Sequence, residues 1–241
     1  MKIVLVTHDS VFGRFVAATL YSASAVDAVL VETGRPSWGF YARKLRRVGL
    51  ADFLFQAWLT RWFRREGARC IPEVAMPPHE RIANANEYPF AGTELVIGFG
   101  SSYITGRTLA RLPNGFLNLH TGFLPDYRGV KSEFWALARH DLAHLGWTLH
   151  YMTTALDAGD IVLRGRVPWN GESPGAMRAA ILRDAAPKIG ALLREARSCG
   201  TTVLPRMAQT EGRYFTTPRW ADWRLFRQPP IPANSAPVPN E

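Results

Sequence analysis

Short, continuously apolar runs alternate with longer stretches of mixed character along much of the chain. Residues 2–7 (KIVLVT) and 93–99 (TELVIGF) have the length and composition of strands buried on both faces. Residues 11–24 between them read as a helix, with Asp9 or Ser10 as its cap, and residues 26–33 read as a second strand. This strand, helix, strand opening predicts an α/β fold with a parallel sheet.

The same patterns continue into the second half of the chain. We predict strands over residues 115–120, 147–152 and 160–167, and helices over residues 106–112, 132–141 and 173–200. Ser173 and Pro174 suit the start of the last helix, and Gly200 suits its end. Pro187 should kink or break that helix, because proline cannot donate the backbone hydrogen bond of a helix interior.

Residues 43–69 mix basic and aromatic side chains. The large apolar residues of this stretch recur every four positions, which predicts one face of a helix: Leu50, Leu54, Trp58 and Trp62. Basic residues precede and end the predicted helix: Arg43, Lys44, Arg46, Arg47, Arg61, Arg64 and Arg65. We favour a helix whose apolar face packs on the core, with a basic amphipathic helix on a membrane surface as the alternative.

The C-terminal part differs in composition from the rest. We assign residues 1–205 to one catalytic domain and residues 206–241 to a short aromatic segment followed by a proline-rich tail. The aromatic residues should dock on the domain or on a partner, and they make a homodimer conceivable: Tyr214, Phe215, Trp220, Trp223 and Phe226. The last fifteen residues hold five prolines, which predicts an extended or disordered tail.

Composition narrows the class of protein only modestly. The 241 residues, 47% hydrophobic and 20% charged, are typical of a globular protein with one sizeable core. No apolar run is long enough to span a bilayer and the N-terminus does not resemble a signal peptide, so we expect a cytoplasmic protein. Two cysteines indicate neither a disulfide framework nor a zinc site. The net charge of +9 is compatible with a nucleic acid, a membrane surface or an anionic small substrate.

A candidate catalytic group combines two distant stretches. Asn118 and His120 stand two apart in a predicted strand and therefore face the same side, while Asp157 lies in a later loop. An amide can stabilise an oxyanion, an imidazole can move a proton, and a carboxylate can orient the imidazole. Because no serine or cysteine stands in a nucleophile-elbow setting, the nucleophile should be an amine of the substrate.

The stretches NLHTGFLPDYRG and HYMTTALDAGDIV, about thirty residues apart, resemble the folate-dependent formyltransferase family. That family includes glycinamide ribonucleotide, methionyl-tRNA and sugar N-formyltransferases. The resemblance implies a Rossmann-like sheet flanked by helices, 10-formyltetrahydrofolate as formyl donor, and folate at the carboxyl ends of the strands. It also implies that Asn118, His120 and Asp157 form the catalytic trio.

The resemblance further implies binding residues. Those expected at the folate are Phe99, Gly100, Ser101, Ser102, Tyr103, Ile104, Thr153 and Thr154. Those expected near the amine substrate are His150, Tyr127, Arg128 and Lys131. Arg14, Arg128 and Lys131 are candidate contacts for a diphosphate.

Departures from the relatives guide the choice of amine. THDSVFGR replaces the phosphate-binding turn of the glycinamide ribonucleotide enzymes, and about forty residues follow the last core helix instead of a domain of about a hundred. Gly122 stands where those two groups of enzymes usually carry serine, and the sugar N-formyltransferases resemble the chain more closely at this position. We therefore expect a nucleotide-linked amino sugar as substrate and no nucleic acid partner. The alternatives are a methionyl-tRNA or hydroxyornithine-type formyltransferase, or a non-catalytic basic module that binds RNA or a membrane.

Overall fold

A seven-stranded sheet forms the centre of the protein in a computed structural model that describes residues 2–34, 36–112, 114–201 and 203–227. The strands of this sheet are β1 Ile3–His8, β2 Ala28–Glu32, β3 Glu80–Ile82, β4 Leu95–Phe99, β5 Phe116–His120, β7 Gly146–Tyr151 and β8 Ile161–Arg166. Two further strands, β6 Arg128–Gly129 and β9 Tyr214–Phe215, pair with each other in parallel.

The strand order in the large sheet is β3-β2-β1-β4-β5-β7-β8. The first five strands in this order run parallel, whereas β7 and β8 run antiparallel to their neighbours. This confirms the predicted α/β fold with a mainly parallel sheet. The carboxyl ends of β1, β4 and β5 meet at one edge, where open α/β sheets bind their ligands.

Helices flank the sheet, as predicted, and the longer ones that bury a face all pack on the same side. The helices are α1 Val11–Ser22, α2 Trp38–Val48, α3 Leu50–Ala68, α4 Gly106–Leu109, α5 Ser132–Ala138 and α6 Pro174–Ser198, with short 3-10 helices at Ala85–Glu87, Leu142–His144 and Trp220–Arg227. The larger core lies under α1, α3 and α6, where Leu20, Leu59 and Leu182 are fully buried. A smaller core on the other face contains Val4, Val96 and Phe116.

Helix ends follow the predicted capping chemistry. The hydroxyl of Ser10 accepts a hydrogen bond from the N–H of Gly13, and Ser173 caps α6 in the same way. Helix α6 nevertheless runs without a break through Pro187, so the predicted break is wrong. Pro187 is exposed while its neighbours on the core side are buried, so water can satisfy the carbonyl that proline leaves without a partner.

The predicted core-facing stripe of α3 is wrong for three of its four residues, and only Trp62 packs against the core. Leu50 and Leu54 are 63% and 57% exposed, and Trp58 is also exposed. The core instead receives Phe55, Gln56, Leu59, Phe63 and Gly67, which lie on a neighbouring stripe of the same helix. Both stripes are apolar at helical spacing, so periodicity alone could not decide between them.

Residues expected to precede that helix as a basic segment form a helix of their own. Helix α2 begins after the cap Ser37 and ends at Gly49, whose φ of 80° lies in the left-handed region that favours glycine. None of its eleven residues is buried. Across the described residues, no helix is long and apolar enough to cross a membrane.

The aromatic C-terminal segment docks on the domain itself as far as residue 227. Its strand β9 pairs with β6, and the carbonyl of Thr216 accepts a hydrogen bond of 2.9 Å from the indole of Trp135. Trp223 and Phe226 pack against Phe134. The proline-rich tail, residues 228–241, lies outside the described residues.

Candidate functional site

Asn118 and His120 stand at the carboxyl end of β5 and face the same side of the sheet. The antiparallel neighbour β7 places His150 directly beside Asn118, because these two residues are paired in the register. The amide nitrogen Nδ2 of Asn118 lies 3.2 Å from Nε2 of His150. Strand pairing alone therefore assembles an amide and two imidazoles at this edge.

Asp157 reaches the same place from the loop between β7 and β8. Its Oδ1 lies 3.4 Å from Nδ2 of Asn118, and its Oδ2 lies 3.8 Å from Nδ1 of His120. Its backbone has a φ of 50°, a left-handed conformation that aspartate tolerates better than most residues. The side-chain amide of Gln209 donates hydrogen bonds to the carbonyls of Asp157 and Gly159, so the C-terminal segment helps to hold this loop.

Backbone carbonyls define the hydrogen positions on the two histidines. Nε2 of His120 lies 2.8 Å from the carbonyl oxygen of Tyr127, and Nδ1 of His150 lies 2.9 Å from that of Tyr151. A carbonyl can only accept, so each of these nitrogens donates. Nδ1 of His120 is thus the nitrogen that faces Asp157, and Nε2 of His150 faces both Asn118 and Asp157.

The surroundings of Asp157 favour its ionised form. Burial opposes the negative charge, but the charge of His120, the hydrogen bond and charge of His150, and the N–H of Gly129 outweigh that effect and lower the pKa of Asp157 to about 2. The Gly129 N–H donates to Oδ2 over 2.8 Å. Asp157 is therefore a carboxylate at neutral pH.

A cavity of about 430 Å³ opens at this edge of the sheet. The predicted site residues on its wall are Asn118, His120, Asp157, His150, Lys131, Thr153 and the six residues Phe99, Gly100, Ser101, Ser102, Tyr103 and Ile104. The structure therefore brings together the trio and most of the residues expected at the folate. The hydroxyl of Ser101 is buried there without a hydrogen-bond partner, as expected of a group that a ligand would satisfy.

Four predicted contacts do not line this cavity. The Tyr127 hydroxyl donates to Asp141 over 2.8 Å, and Arg128 donates to Gln209 and to the carbonyl of Thr210. Thr154 accepts a hydrogen bond from Tyr103 through its carbonyl, and Arg14 pairs with Asp9 on the surface. The contribution of Tyr127 near the site is its backbone carbonyl, which holds His120.

Arg178 is a cavity residue that the sequence did not suggest. It comes from the second turn of α6 and binds the carboxylate of Glu133, with 3.0 Å between Nη2 and Oε2. Glu133 is fully buried, yet Arg178 keeps its pKa below the usual range against the effect of burial. The one available signal was Glu133 itself, because an acid inside the apolar helix SEFWALA needs a partner.

Lys131 lies beside this pair. Its Nζ is 4.1 Å from the ring centre of Phe63, a cation–π contact with the buried side of α3. Burial and the nearby charge of Arg178 lower the pKa of Lys131 to about 7, although Glu133 acts in the opposite direction. The wall of the cavity therefore carries one amine that is readily present in its neutral form.

Gly122 does not contact the cavity. A Cβ atom at this position would lie 2.4 Å from Nε2 of His120, 2.6 Å from the hydroxyl oxygen of Ser132 and 2.6 Å from the carbonyl oxygen of Tyr127. The hydroxyl of Ser132 is itself 3.2 Å from Nε2 of His120. Gly122 thus leaves room for the groups that hold His120, and it gives no direct information about the amine.

Comparison with known proteins agrees with this geometry. Residues 1–186 match the family described as formyl transferase. The chain belongs to the formyl transferase family. One relative is a methionyl-tRNA formyltransferase of Syntrophus aciditrophicus, 36% identical over 101 residues, which are 41% of this chain and 31% of that protein. The chain spans between about a third and half of the length of the curated relatives that it matches first.

Solved structures of other formyltransferases share the fold. A 4-N formyltransferase from Francisella tularensis superposes with a TM-score of 0.60 at 15% identity, covering 92% of this chain and 78% of that one. The formyltransferase PseJ from Anoxybacillus kamchatkensis, in complex with UDP-4,6-dideoxy-4-formamido-L-AltNAc and tetrahydrofolate, gives a TM-score of 0.52 at 14% identity, covering 89% and 85%. At these identities the likeness is one of fold.

Proposed function

We propose that this formyl transferase family protein transfers a formyl group from 10-formyltetrahydrofolate to a primary amine. The observation that carries the proposal is the convergence of Asn118, His120 and Asp157 at one cavity wall. The carboxylate lies there 3.4 Å from the amide donor and 3.8 Å from the imidazole. Acyl transfer to an amine requires oxyanion stabilisation and proton movement, and these three groups supply both.

The cavity has the character of a folate site. Its volume of about 430 Å³ is in the ordinary range for small-molecule sites. Phe99, Ile104, Met152 and Leu156 offer apolar surface to a flat ring, and the hydroxyl of Ser101 is available for hydrogen bonding. The complex of PseJ with tetrahydrofolate supports this assignment.

The bound cofactor would supply a formyl carbon that is already activated by its attachment to nitrogen. The amine attacks that carbon, a new C–N bond forms, the bond to the folate nitrogen breaks, and the amine proton ends on that nitrogen. Asn118 gives up its long 3.4 Å contact with Asp157 and donates to the oxygen that gains negative charge. His120, whose Nε2 is engaged by Tyr127, presents Nδ1 to the reacting groups. Asp157 balances the positive charge of His120 when both ring nitrogens hold a proton.

For the amine we propose a nucleotide-linked amino sugar. Lys131, when protonated, adds a cation to the cavity wall, whereas the charge of Arg178 is paired with Glu133 and the wall also holds the carboxylate of Asp157. A diphosphate would favour that protonated form. PseJ, which was captured with a UDP-linked sugar, supports this choice. Methionyl-tRNA is the second candidate, because the relative from Syntrophus aciditrophicus is a methionyl-tRNA formyltransferase.

A formyl-transfer assay tests the proposal. Purified protein is mixed with 10-formyltetrahydrofolate and, in turn, nucleotide-linked amino sugars, charged methionyl-tRNA and hydroxyornithine. Tetrahydrofolate release and the mass of the product are measured.

His120→Ala and Asp157→Ala should each lower turnover by about 10²–10⁴-fold. The matched controls His79→Ala and Asp160→Ala, which lie outside the cavity, should retain it. Near-normal turnover of either trio variant would refute the assignment of roles, and release with no amine would refute the reaction.

A further inference from the structure

Helix α2 exposes an apolar face. Trp38 is 90% exposed, and Tyr41 and Leu45 are also exposed. At 100° per residue these three side chains, with Ala42, lie within one narrow stripe along the helix. Since no residue of α2 is buried, this stripe contributes nothing to the core of the domain.

The opposite side of α2 is cationic. Arg43 and Arg47 lie on that side together with the exposed Phe40, and Arg46 flanks the apolar stripe. None of the three arginines forms an ion pair with an acid in the ranges that the structure describes. Residues 38–69 contain eight Arg or Lys and only two acids. Asp52 accepts a hydrogen bond from the N–H of Trp220, and Glu66 pairs with Arg69. The positive charge of α2 is therefore not neutralised locally.

The beginning of α3 continues the exposed apolar surface. Leu50 and Leu54 point to solvent, and a shallow groove of about 380 Å³ next to them is lined by Ala51, Leu54, Phe55, Trp58 and Trp220. Groups of large apolar side chains on the outside of a globular protein mark places where a partner or a membrane binds.

We propose that α2 and the first turns of α3 bind the surface of an anionic lipid bilayer. An apolar stripe with a separate basic face on one short helix is the pattern of helices that lie in the membrane interface. The aromatic and aliphatic side chains would enter the boundary between headgroups and acyl chains, and the arginines would meet lipid phosphates. This surface is separate from the cavity, so the proposal does not depend on formyl transfer.

Two other occupants fit the same surface less well. A second copy of the chain in a twofold dimer would bring the same arginines against each other, with no acids to offset them. A single-stranded nucleic acid would use the cations and the aromatic rings, but it would leave Leu45, Leu50 and Leu54 in contact with phosphates and sugars.

Vesicle flotation tests the proposal with the full chain. The protein is incubated with vesicles of phosphatidylcholine alone, or of phosphatidylcholine with about one third phosphatidylglycerol, and the floating fraction is measured. Binding to the anionic vesicles is expected, with weak binding to the neutral ones. Trp38→Ser/Leu45→Ser should weaken binding about tenfold or more, because two apolar side chains no longer enter the bilayer. Arg43→Gln/Arg47→Gln should weaken it about fivefold for each arginine.

The matched control is Trp169→Ser/Leu142→Ser, which removes two apolar side chains that are each 40% exposed elsewhere on the surface. This variant should bind like the parent, and circular dichroism should show that all variants are folded. Failure to float with anionic vesicles, or an equal loss in the control variant, would overturn the proposal. So would a dimer that Trp38→Ser/Leu45→Ser dissociates in light scattering, or RNA binding that competes with the vesicles and is unaffected by that variant.

Discussion

Nε2 of His120 and the carbonyl oxygen of Tyr127 lie 2.8 Å apart, seven residues along the chain from each other. The hydroxyl of Ser132 is 3.2 Å from both atoms, so His120 is held from behind by two groups outside the cavity. Because residue 122 is a glycine, the Tyr127 carbonyl and the Ser132 hydroxyl can approach His120 closely. These contacts fix the orientation of the His120 ring and therefore the position of its Nδ1.

Gly122→Ala should reduce both stability and formyl transfer. The added methyl would lie 2.6 Å from the Tyr127 carbonyl, which is backbone and cannot move aside easily. We expect a loss of about 1–3 kcal/mol in the free energy of unfolding, and a fall in kcat larger than that of Ser132→Ala. Gly190→Ala is the control, because its methyl would meet only ordinary contacts at 3.6 Å or more within α6. Urea unfolding and turnover of the three variants give the comparison, and an unchanged Gly122→Ala would contradict it.

Asp157→Asn should change the pH dependence of stability. The unfolded carboxyl has a pKa of 3.8 and the folded one a pKa of about 2, so the ionised form stabilises the folded protein. This contribution, about 2 kcal/mol, is fully present above the unfolded pKa and is lost as the pH falls through the folded pKa. The free energy of unfolding of the variant should therefore be lower than that of the parent at neutral pH, and the two should converge in acid.

Urea unfolding of both proteins between about pH 2 and neutral pH measures that difference. Asp160→Asn is the matched control, because Asp160 is partly exposed and lies 3.6 Å from Arg206 in a surface pair. Asp160→Asn should change the free energy of unfolding by no more than about 0.5 kcal/mol at every pH. If the free energies of unfolding of the parent and of Asp157→Asn differed by the same amount at every pH, the charge of Asp157 would not be the cause of the difference.

Much of the fold follows from local patterns in the sequence. Runs such as residues 3–6 and 95–99 contain no charged or polar side chain, because strands inside a parallel sheet are covered on both faces. Ser10 and Ser173 mark helix starts because their hydroxyls replace missing backbone acceptors. The stripe of α3 could not be predicted in this way, because Phe55, Leu59 and Phe63 compete with Leu50, Leu54 and Trp58, and only tertiary packing selects between them.

The site was predictable to the extent that strand geometry determines it. Asn118 and His120 share a face by alternation, whereas the assignment of Asp157 to the same trio came from the resemblance of HYMTTALDAGDIV to the formyltransferase family. Arg178 and Gln209 come from the last helix and the C-terminal segment, and no local pattern connects them to residues 118–157. Tyr127 was predicted to contact the substrate, and its backbone does lie next to the site. Its side chain, however, turns toward Asp141 and does not line the cavity.

Lys131→Met should stabilise the protein, most strongly at and below neutral pH. The pKa of Lys131 falls from 10.5 in the unfolded chain to about 7 in the folded one, so the unfolded state binds more protons between these values. The stability of the parent therefore rises with pH through this window. Near pH 7 the variant should gain on the order of 3 kcal/mol, and the gain should shrink toward the unfolded pKa, where lysine is largely neutral in both states.

Chemical unfolding at several pH values checks this expectation. Lys188→Met is the control, because Lys188 is exposed and pairs with Asp184 on the surface of α6. That variant should differ from the parent by less than about 1 kcal/mol. A Lys131→Met variant that is less stable than the parent near neutral pH would mean that the cation–π contact with Phe63 outweighs the effect of burial.

The Arg178–Glu133 pair should show strong coupling in a double-mutant cycle. Glu133→Gln leaves the guanidinium of Arg178 without its carboxylate, and Arg178→Met leaves a fully buried carboxylate without a counter-charge. Each single change should lower the free energy of unfolding by about 3–5 kcal/mol, whereas the double variant should lose far less than the sum. Arg69 and Glu66, a surface pair 3.0 Å apart, provide the control cycle with a coupling below about 0.5 kcal/mol. Additive effects at Arg178 and Glu133 would show that each residue acts through other neighbours, and Arg178 would then be free to bind an anion in the cavity.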